Sequence, residues 1–293
     1  MTPFELVEPQ SLQEAIAALD PDDPTIRAIA GGTALMPMMK IGVFKPTRLV
    51  SLRHVEERYR RIDVDEDGAL RLGALTPLAD VERSPLVAAK APVITQALLT
   101  LSNVRVRNVA TVGGHLAHAD PHMDLPPVLI ALGARVFVVG PAGRRWIEIA
   151  ELFRGYYETT LANDELIAEV VVPPQGKRHA AYLKCTTLSA DDWPAVGVAV
   201  SLETDGVTIS DAKVAISAAT EKPLRLDPVA ELLRGKAADD ATCKAAGEAA
   251  AAAITVLADG RGSIAYKEQL VRVYTARAIR RAFESALLDG SGT

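Results

Sequence analysis

Two pairs of adjacent glycines constrain this chain more than any other feature: Gly31 and Gly32 in "AIAGGTALM", residues 28–36, and Gly113 and Gly114 in "ATVGGHLAHADPHMDL", residues 110–125. A threonine stands near each pair, Thr33 and Thr111. Glycine between a strand and a helix exposes backbone N–H groups with no Cβ in the way, and the helix terminus adds a partial positive charge. Such a corner suits a phosphate. One corner by itself is what strand-to-helix turns use for conformational reasons. Two of them, in separate α/β units and each with a hydroxyl able to donate to a phosphate oxygen, would suit a pyrophosphate and so point to a dinucleotide cofactor. The chain contains neither G-x-G-x-x-G nor G-x-x-x-x-G-K-S/T, so a solution other than the Rossmann or P-loop corner is required.

The flanking sequence supplies the two units. "FELVEP" reads as a strand and "SLQEAIAAL" as an amphipathic helix, with capping-box spacing at Ser11 and Glu14. "TIRAIA" is a short strand ended by Gly31 and Gly32. Thr33 can cap a helix through "ALMPMMKIG" with Pro37 in or near its first turn, and "TRLVSL" closes a β-α-β unit. A second unit opens with strand "ALRLGAL", followed by Thr76 and Pro77 as cap and first helical residue and by one long helical stretch over residues 84–101. Residues 103–127, rich in Gly, His, Asp and Pro without a sustained period, read as a long ordered loop of the kind that carries function. "PVLIALGA" is helical, "RVFVVG" a strand and "GPAGRR" a turn. After "DELIAEVVVPP", Pro173 and Pro174 mark a boundary. Beyond it three apolar strands are expected near residues 180–187, 195–202 and 207–218, then helices near 228–233, 237–257 and 264–287, and a short "DGSGT" end.

Composition narrows the function classes. The 293 residues are 49% hydrophobic and 24% charged, the balance of a folded globular protein. A net charge of −5 with both signs interspersed gives no field that would gather nucleic acid or an anionic membrane. No run approaches the roughly 18 apolar residues of a membrane helix, and "MTPFELVEPQ" lacks the pattern of a signal peptide, so a cytoplasmic location is expected. Only two cysteines occur, Cys185 and Cys243, far apart. An iron–sulfur cluster held by four thiolates cannot be built from this chain, and any such centre must belong to a partner.

The motifs "AGGTALMPMMK" and "ATVGGHLAHADPHMDLPPVLIALGA", at this spacing, resemble the two flavin-binding segments of the FAD-binding medium subunits of molybdenum hydroxylases, the family of aerobic carbon monoxide dehydrogenase and xanthine dehydrogenase. The resemblance covers essentially the whole chain. It implies an α+β fold: two small α/β subdomains, about 1–55 and 56–175, form an FAD-binding (PCMH-type) domain over 1–175, and 176–293 form a C-terminal domain with a three-stranded antiparallel sheet and helices. By the same resemblance, Ile29, Ala30, Gly31, Gly32, Thr33 and Ala34 surround the FAD pyrophosphate, which Thr111, Gly113 and Gly114 complete. His115 stands where asparagine is usual, His118 lines the flavin cleft, and Asp124 accepts from a ribose hydroxyl on the adenosine side. Leu166 and Ile167 pack near the isoalloxazine, and Lys184 in "AYLKC" lies close to it. Ala34 replaces a frequent acidic residue, and Cys185 a common aromatic or polar one.

The implied role is electron transfer, with no catalytic residue and no metal ligand in this chain. A large partner subunit would carry the molybdenum cofactor and hydroxylate the substrate. A small partner with two [2Fe–2S] clusters would pass electrons to the flavin, for delivery to a quinone, oxygen or NAD, the whole assembled as a dimer of heterotrimers. A free-standing flavin oxidase of the same fold is the nearest alternative. A metal-dependent enzyme is another, because "HLAHADPHMD" gathers His115, His118, Asp120, His122 and Asp124; that spacing follows neither H-E-x-x-H nor a 2-His-1-carboxylate pattern, which puts flavin-contacting or structural roles first. Arg272, Arg277, Arg280 and Arg281 on the last helix suit a solvated helix face. Trp193 in "DDWPAVG" could cover a flavin face or belong to the core.

Overall fold

The computed structural model describes residues 2–290, so the last residues of the "DGSGT" end lie outside the described residues. The chain opens with β1 (Glu5–Val7), α1 (Leu12–Ala17), β2 (Ile26–Ile29), α2 (Leu35–Lys40) and β3 (Arg48–Ser51). The strands pair in parallel in the order β1-β3-β2. Ser11 caps α1 by accepting from the Glu14 N–H at 3.1 Å, while the Glu14 carboxylate reaches back to the Gln10 N–H at 2.9 Å. Thr33 does not cap α2: the cap position is Ala34, without a side-chain bond, and Thr33 is exposed. Gly32, at φ +68°, turns the chain so that the helix begins after the threonine. Pro37 falls in the first turn of α2, where its missing N–H is not needed.

The next stretch contains a 3-10 turn at Glu57–Arg60, then β4 (Ile62–Val64), β5 (Leu70–Gly73), α3 (Leu78–Arg83), α4 (Pro85–Lys90), α5 (Pro92–Leu99), α6 (Val104–Arg107), α7 (Val112–His118) and α8 (Leu125–Leu132). It ends with β6 (Arg135–Gly140), β7 (Gly143–Glu148), α9 (Ile149–Leu152), β8 (Phe153–Gly155), β9 (Glu158–Thr159) and β10 (Leu166–Val172). Five strands form one sheet in the order β4-β5-β10-β6-β7, with β10 antiparallel to both β5 and β6. The long helix expected over 84–101 is two helices. Pro92 removes a backbone donor and restricts Ala91, which sits at φ −151° and ψ 66° between them. Pro77, not Thr76, holds the cap position of α3.

Residues 103–127 are not a loop. Asn103 caps α6 and Thr111 caps α7, accepting from the N–H groups of Val106 (3.1 Å) and Gly114 (3.2 Å). Of the two glycines that hid this helix from a periodicity reading, Gly113 is required by packing: a Cβ on it would lie 2.7 Å from that of Ala74.

The chain then forms β11 (His179–Cys185), β12 (Val196–Thr204), β13 (Ile209–Ser217) and β14 (Leu224–Arg225), followed by α10 (Asp227–Leu233), α11 (Asp240–Ala252) and α12 (Ile264–Gly290). The antiparallel sheet has four strands, not three. Its extra member, β14, is two residues long and pairs with Ala215 and Ile216, too short to leave an alternation in the sequence. This sheet is buried on both faces. Val198, Val200, Val214 and Ile216 pack with α11 and α12, while Ala199 and Ala215 join the core built by α8 and the five-stranded sheet. Every residue of α8 is buried, which explains its unbroken apolar run. Among the described residues no helix is long and apolar enough to cross a membrane.

Candidate functional site

The two glycine corners meet. A Cβ on Gly31 would lie 2.1 Å from the Val109 carbonyl oxygen and 2.9 Å from the Ala110 Cα, so the first loop rests directly on the backbone leading into Thr111. A Cβ on Gly114 would come within 3.9 Å of the Ala30 methyl. The corners divide the work unequally. In α7 the first-turn donors are used inside the protein: Val112 N–H to the Thr76 carbonyl (3.0 Å), Gly113 N–H to that of Ala74 (2.7 Å) and Gly114 N–H to Thr111 Oγ1. The N–H groups of Gly31, Gly32, Thr33 and Ala34 have no partner among the described residues. The first corner therefore offers free donors, and the second offers Gly114 as an exposed, side-chain-free wall beside it.

Behind that wall lies His115, whose Nε2 is buried without a hydrogen-bond partner. Burial, assisted by His118, pushes its ring down to about 3, so the imidazole is neutral and keeps one unsatisfied polar atom. Burial also lowers His118, whose ring centroid lies 5.1 Å from that of Tyr157. Because the unfolded chain binds a proton at His115 below its ordinary 6.5 and the folded chain does not until about 3, this residue costs stability progressively as pH falls through that window. We expect His115→Asn to recover about 3 kcal/mol of the acid-side loss, seen as a flatter dependence of urea-unfolding free energy on pH between 6.5 and 3. Equal slopes in the two proteins would contradict the assignment of a buried neutral ring.

Asp124 sits at the N-terminus of α8 and is 4% exposed. The Tyr182 hydroxyl donates to its Oδ1 at 2.5 Å and Lys184 Nζ to its Oδ2 at 3.2 Å. Tyr182 and Lys184 are two residues apart on β11 and so share a face, a period-two signal that could have identified the tyrosine from sequence. Lys184 Nζ also donates to the carbonyls of Thr100 (2.7 Å) and Asp192 (3.0 Å). Burial pushes the Asp124 carboxyl up to about 6 against the pull of Lys184 and Tyr182, and burial with the neighbouring carboxylate drives the Tyr182 hydroxyl well above its usual range.

Leu166 and Ile167 open β10 and point to different cores: Leu166 joins the cluster around Leu12, Val50 and Ala168, and Ile167 the cluster around α8. Thus residues 29–34 and 111–114 are brought into contact, and Asp124 with Lys184 form a second cluster. The carboxylates of the His- and Asp-rich segment are engaged with protein groups: Asp120 accepts from the His122 N–H (2.8 Å) and the Tyr157 hydroxyl (3.1 Å), and Asp124 as described. Among the described residues no group of three or more His, Cys, Asp or Glu could hold a metal ion.

Comparison with known proteins finds relatives that match this chain over nearly its full length. The family described as the FAD binding domain in molybdopterin dehydrogenase matches residues 2–175, and the CO dehydrogenase flavoprotein C-terminal domain matches residues 181–282. The glyceraldehyde dehydrogenase medium chain of Sulfolobus acidocaldarius is 31% identical over 94% of this chain and 97% of its own length. The carbon monoxide dehydrogenase medium chain of Hydrogenophaga pseudoflava is 31% identical over 96% of this chain and 97% of its own. A solved structure of carbon monoxide dehydrogenase from the same organism, lacking the Mo-pyranopterin moiety of the molybdenum cofactor, superposes with a TM-score of 0.92 at 32% identity, covering 97% of this chain and 99% of that one.

Proposed function

The chain belongs to the FAD-binding medium subunits of the molybdenum hydroxylases, and on that premise we propose that its two touching glycine corners cradle the FAD pyrophosphate. FAD, when bound, supplies the redox chemistry of this subunit. The chain's own groups bind and orient it. Gly31, Gly32, Thr33 and Ala34 lend their free N–H groups, Ile29 and Ala30 form the approach, and Gly114 leaves the space that a side chain would fill. Gly113 lets α7 seat on Ala74, and Thr111 holds the first turn of α7 while its hydroxyl hydrogen stays free to donate. The orphaned Nε2 of His115 offers a further polar contact, and His118 lines the same side.

Asp124 and Lys184 fit the adenosine and flavin sides less directly, since both are already engaged with protein partners. In this reading they order the wall of the site, while Leu166 packs in the core that also takes Ala30 of the first loop and Ile167 in the core under α7 and α8. Residues 1–175 act as the cofactor domain and 176–293 as a C-terminal domain that packs on it. The contact between Gly31 and the backbone of Val109 and Ala110 is the observation that carries the reading.

We further place the chain in an assembly with a large subunit carrying a molybdenum cofactor and a small subunit carrying [2Fe–2S] clusters, as the family's medium subunits imply. The electron-transfer centres this chain cannot ligate, having two free cysteines, would reside there. Free thiols also suit a cytoplasmic working place.

The test is an absorbance spectrum of the protein purified alone and together with its partner subunits. One FAD per chain in the assembled protein is expected, released on denaturation and quantified by its absorbance. An assembly free of flavin that takes up no added FAD would reject the proposal.

A further inference from the structure

Three connecting segments converge on one imidazole outside the glycine corners. His122, between α7 and α8, places Nδ1 3.0 Å from Asp120 Oδ1 and Nε2 2.8 Å from Asp259 Oδ2. Asp259 lies between α11 and α12, and its Oδ2 also accepts from Lys267 Nζ at 2.7 Å. Lys267, on α12, is 1% exposed and donates in addition to the Ala218 carbonyl at 2.9 Å. Burial opposes ionisation of both carboxylates, but the hydrogen bonds from His122, and from Lys267 at Asp259, outweigh it and hold Asp120 low and Asp259 at about 2. Both ring nitrogens of His122 therefore face carboxylate oxygens, one on each side of the ring.

The face of that ring lies against Trp193, with centroids 6.0 Å apart and planes 11° from parallel. Trp193 is 48% exposed, and its indole nitrogen has no partner among the described residues. Its other neighbour is Arg261, whose guanidinium sits 5.2 Å from the indole centroid and whose Nε donates to the Trp193 carbonyl at 3.2 Å. The Arg261 N–H in turn donates to Asp259 Oδ1 at 2.8 Å. One carboxylate therefore holds the imidazole that stacks on the indole through one oxygen and, through the other, the backbone of the residue whose guanidinium covers it. Lys184 holds the preceding residue through the Asp192 carbonyl, so the Trp193 segment borders the proposed flavin side of the site.

We propose that Asp259, a residue of the C-terminal region, is a positioning residue for the cofactor site: through His122 and Arg261 it fixes the Trp193 indole at the border of that site. The location at a flavin site rests on the proposed function above; the grip on Trp193 does not. Trp146 is the other tryptophan of the chain, so Trp146→Phe leaves Trp193 as the sole reporter. In that background, without FAD, acrylamide quenching of Trp193 fluorescence is compared with and without the anchor. Asp259→Asn alone would strand the buried Lys267 ammonium, so it is paired with Lys267→Met, which removes both charges together. A second variant, His122→Gln, cuts only the stacking arm.

Loss of the paired anchor is expected to raise the quenching constant about threefold, and loss of one arm by about half as much, with far-ultraviolet circular dichroism unchanged. Unchanged quenching in either folded variant would overturn the assignment. FAD uptake is then measured separately on the assembled protein: failure of the Trp146→Phe parent to bind FAD would reject the cofactor reading while the fluorescence comparison still decides the role of Asp259.

Discussion

Gly114→Val is expected to weaken FAD binding at least about 100-fold while leaving the fold in place, because the backbone there is exposed and the one close neighbour of an added Cβ is the end of a side chain, the Thr111 hydroxyl, which must shift slightly. A Cβ at Gly114 would meet Thr111 Oγ1 at 2.9 Å and nothing else closer than 3.9 Å. Glycine and valine differ by only a few tenths of a kcal/mol in helix propensity, so α7 should tolerate the exchange and the thermal midpoint should move by no more than about 3 °C. The added isopropyl group would instead occupy the bare wall opposite the free N–H groups of the first corner. Titration of the apo assembly with FAD, followed by flavin fluorescence, reads the loss.

Gly31→Ala would be a poor substitute for this test. Its Cβ collides with backbone atoms of Val109 and Ala110, so the expected outcome is destabilisation by about 3 kcal/mol or more together with loss of cofactor, and the two effects could not be separated. Retention of FAD by a folded Gly114→Val protein would mean that the corners meet for structural reasons alone.

Lys184→Met should be the most destabilising single change near the site, at about 3–5 kcal/mol near neutral pH. The substitution keeps length and apolar bulk but leaves the Asp124 carboxylate, 4% exposed, with the Tyr182 hydroxyl as its remaining side-chain partner. It also strips a donor from the carbonyls of Thr100 and Asp192. The pH dependence has a definite sign. Asp124 already has its folded-state value raised from 3.8 to about 6, so protonation favours the folded chain: this contribution is fully present below 3.8 and is lost as pH rises through about 6. Removing the cation raises that value further and lengthens the window. The deficit of the variant should therefore be largest near pH 7.5 and shrink towards pH 5, as measured by urea unfolding at both values. A deficit under about 1 kcal/mol that does not change with pH would show that the pair is screened by solvent.

Much of the architecture was readable because the local signals agreed with the tertiary outcome. The strands at Ile26–Ile29, Leu70–Gly73 and Val196–Thr204 have the short apolar runs expected of them, and Ser11 and Glu14 carry a capping pattern that the structure uses with one change of partner. The stretch around α7 misled because Gly113 answers to Ala74, a residue distant in sequence, rather than to helix propensity. Strand β14 escaped because two residues carry no period. The cluster of Asp124, Tyr182 and Lys184 was half visible: resemblance picked out the aspartate and the lysine, but that they bind each other depends on α8 packing against the sheet that begins with β11.

Sequence by itself determined that this chain has two side-chain-free corners, too few thiols for a cluster, and the motif spacing of an FAD-binding subunit, because those properties reside in residue types and intervals. Tertiary structure decided that the first corner keeps its N–H groups free while the second spends its own on building α7, and that Asp259 meets the His122 ring that stacks on Trp193. Hydrogen-bond partners and burial are properties of segments brought together in space, and no local pattern in the chain encodes which donor is left without an acceptor.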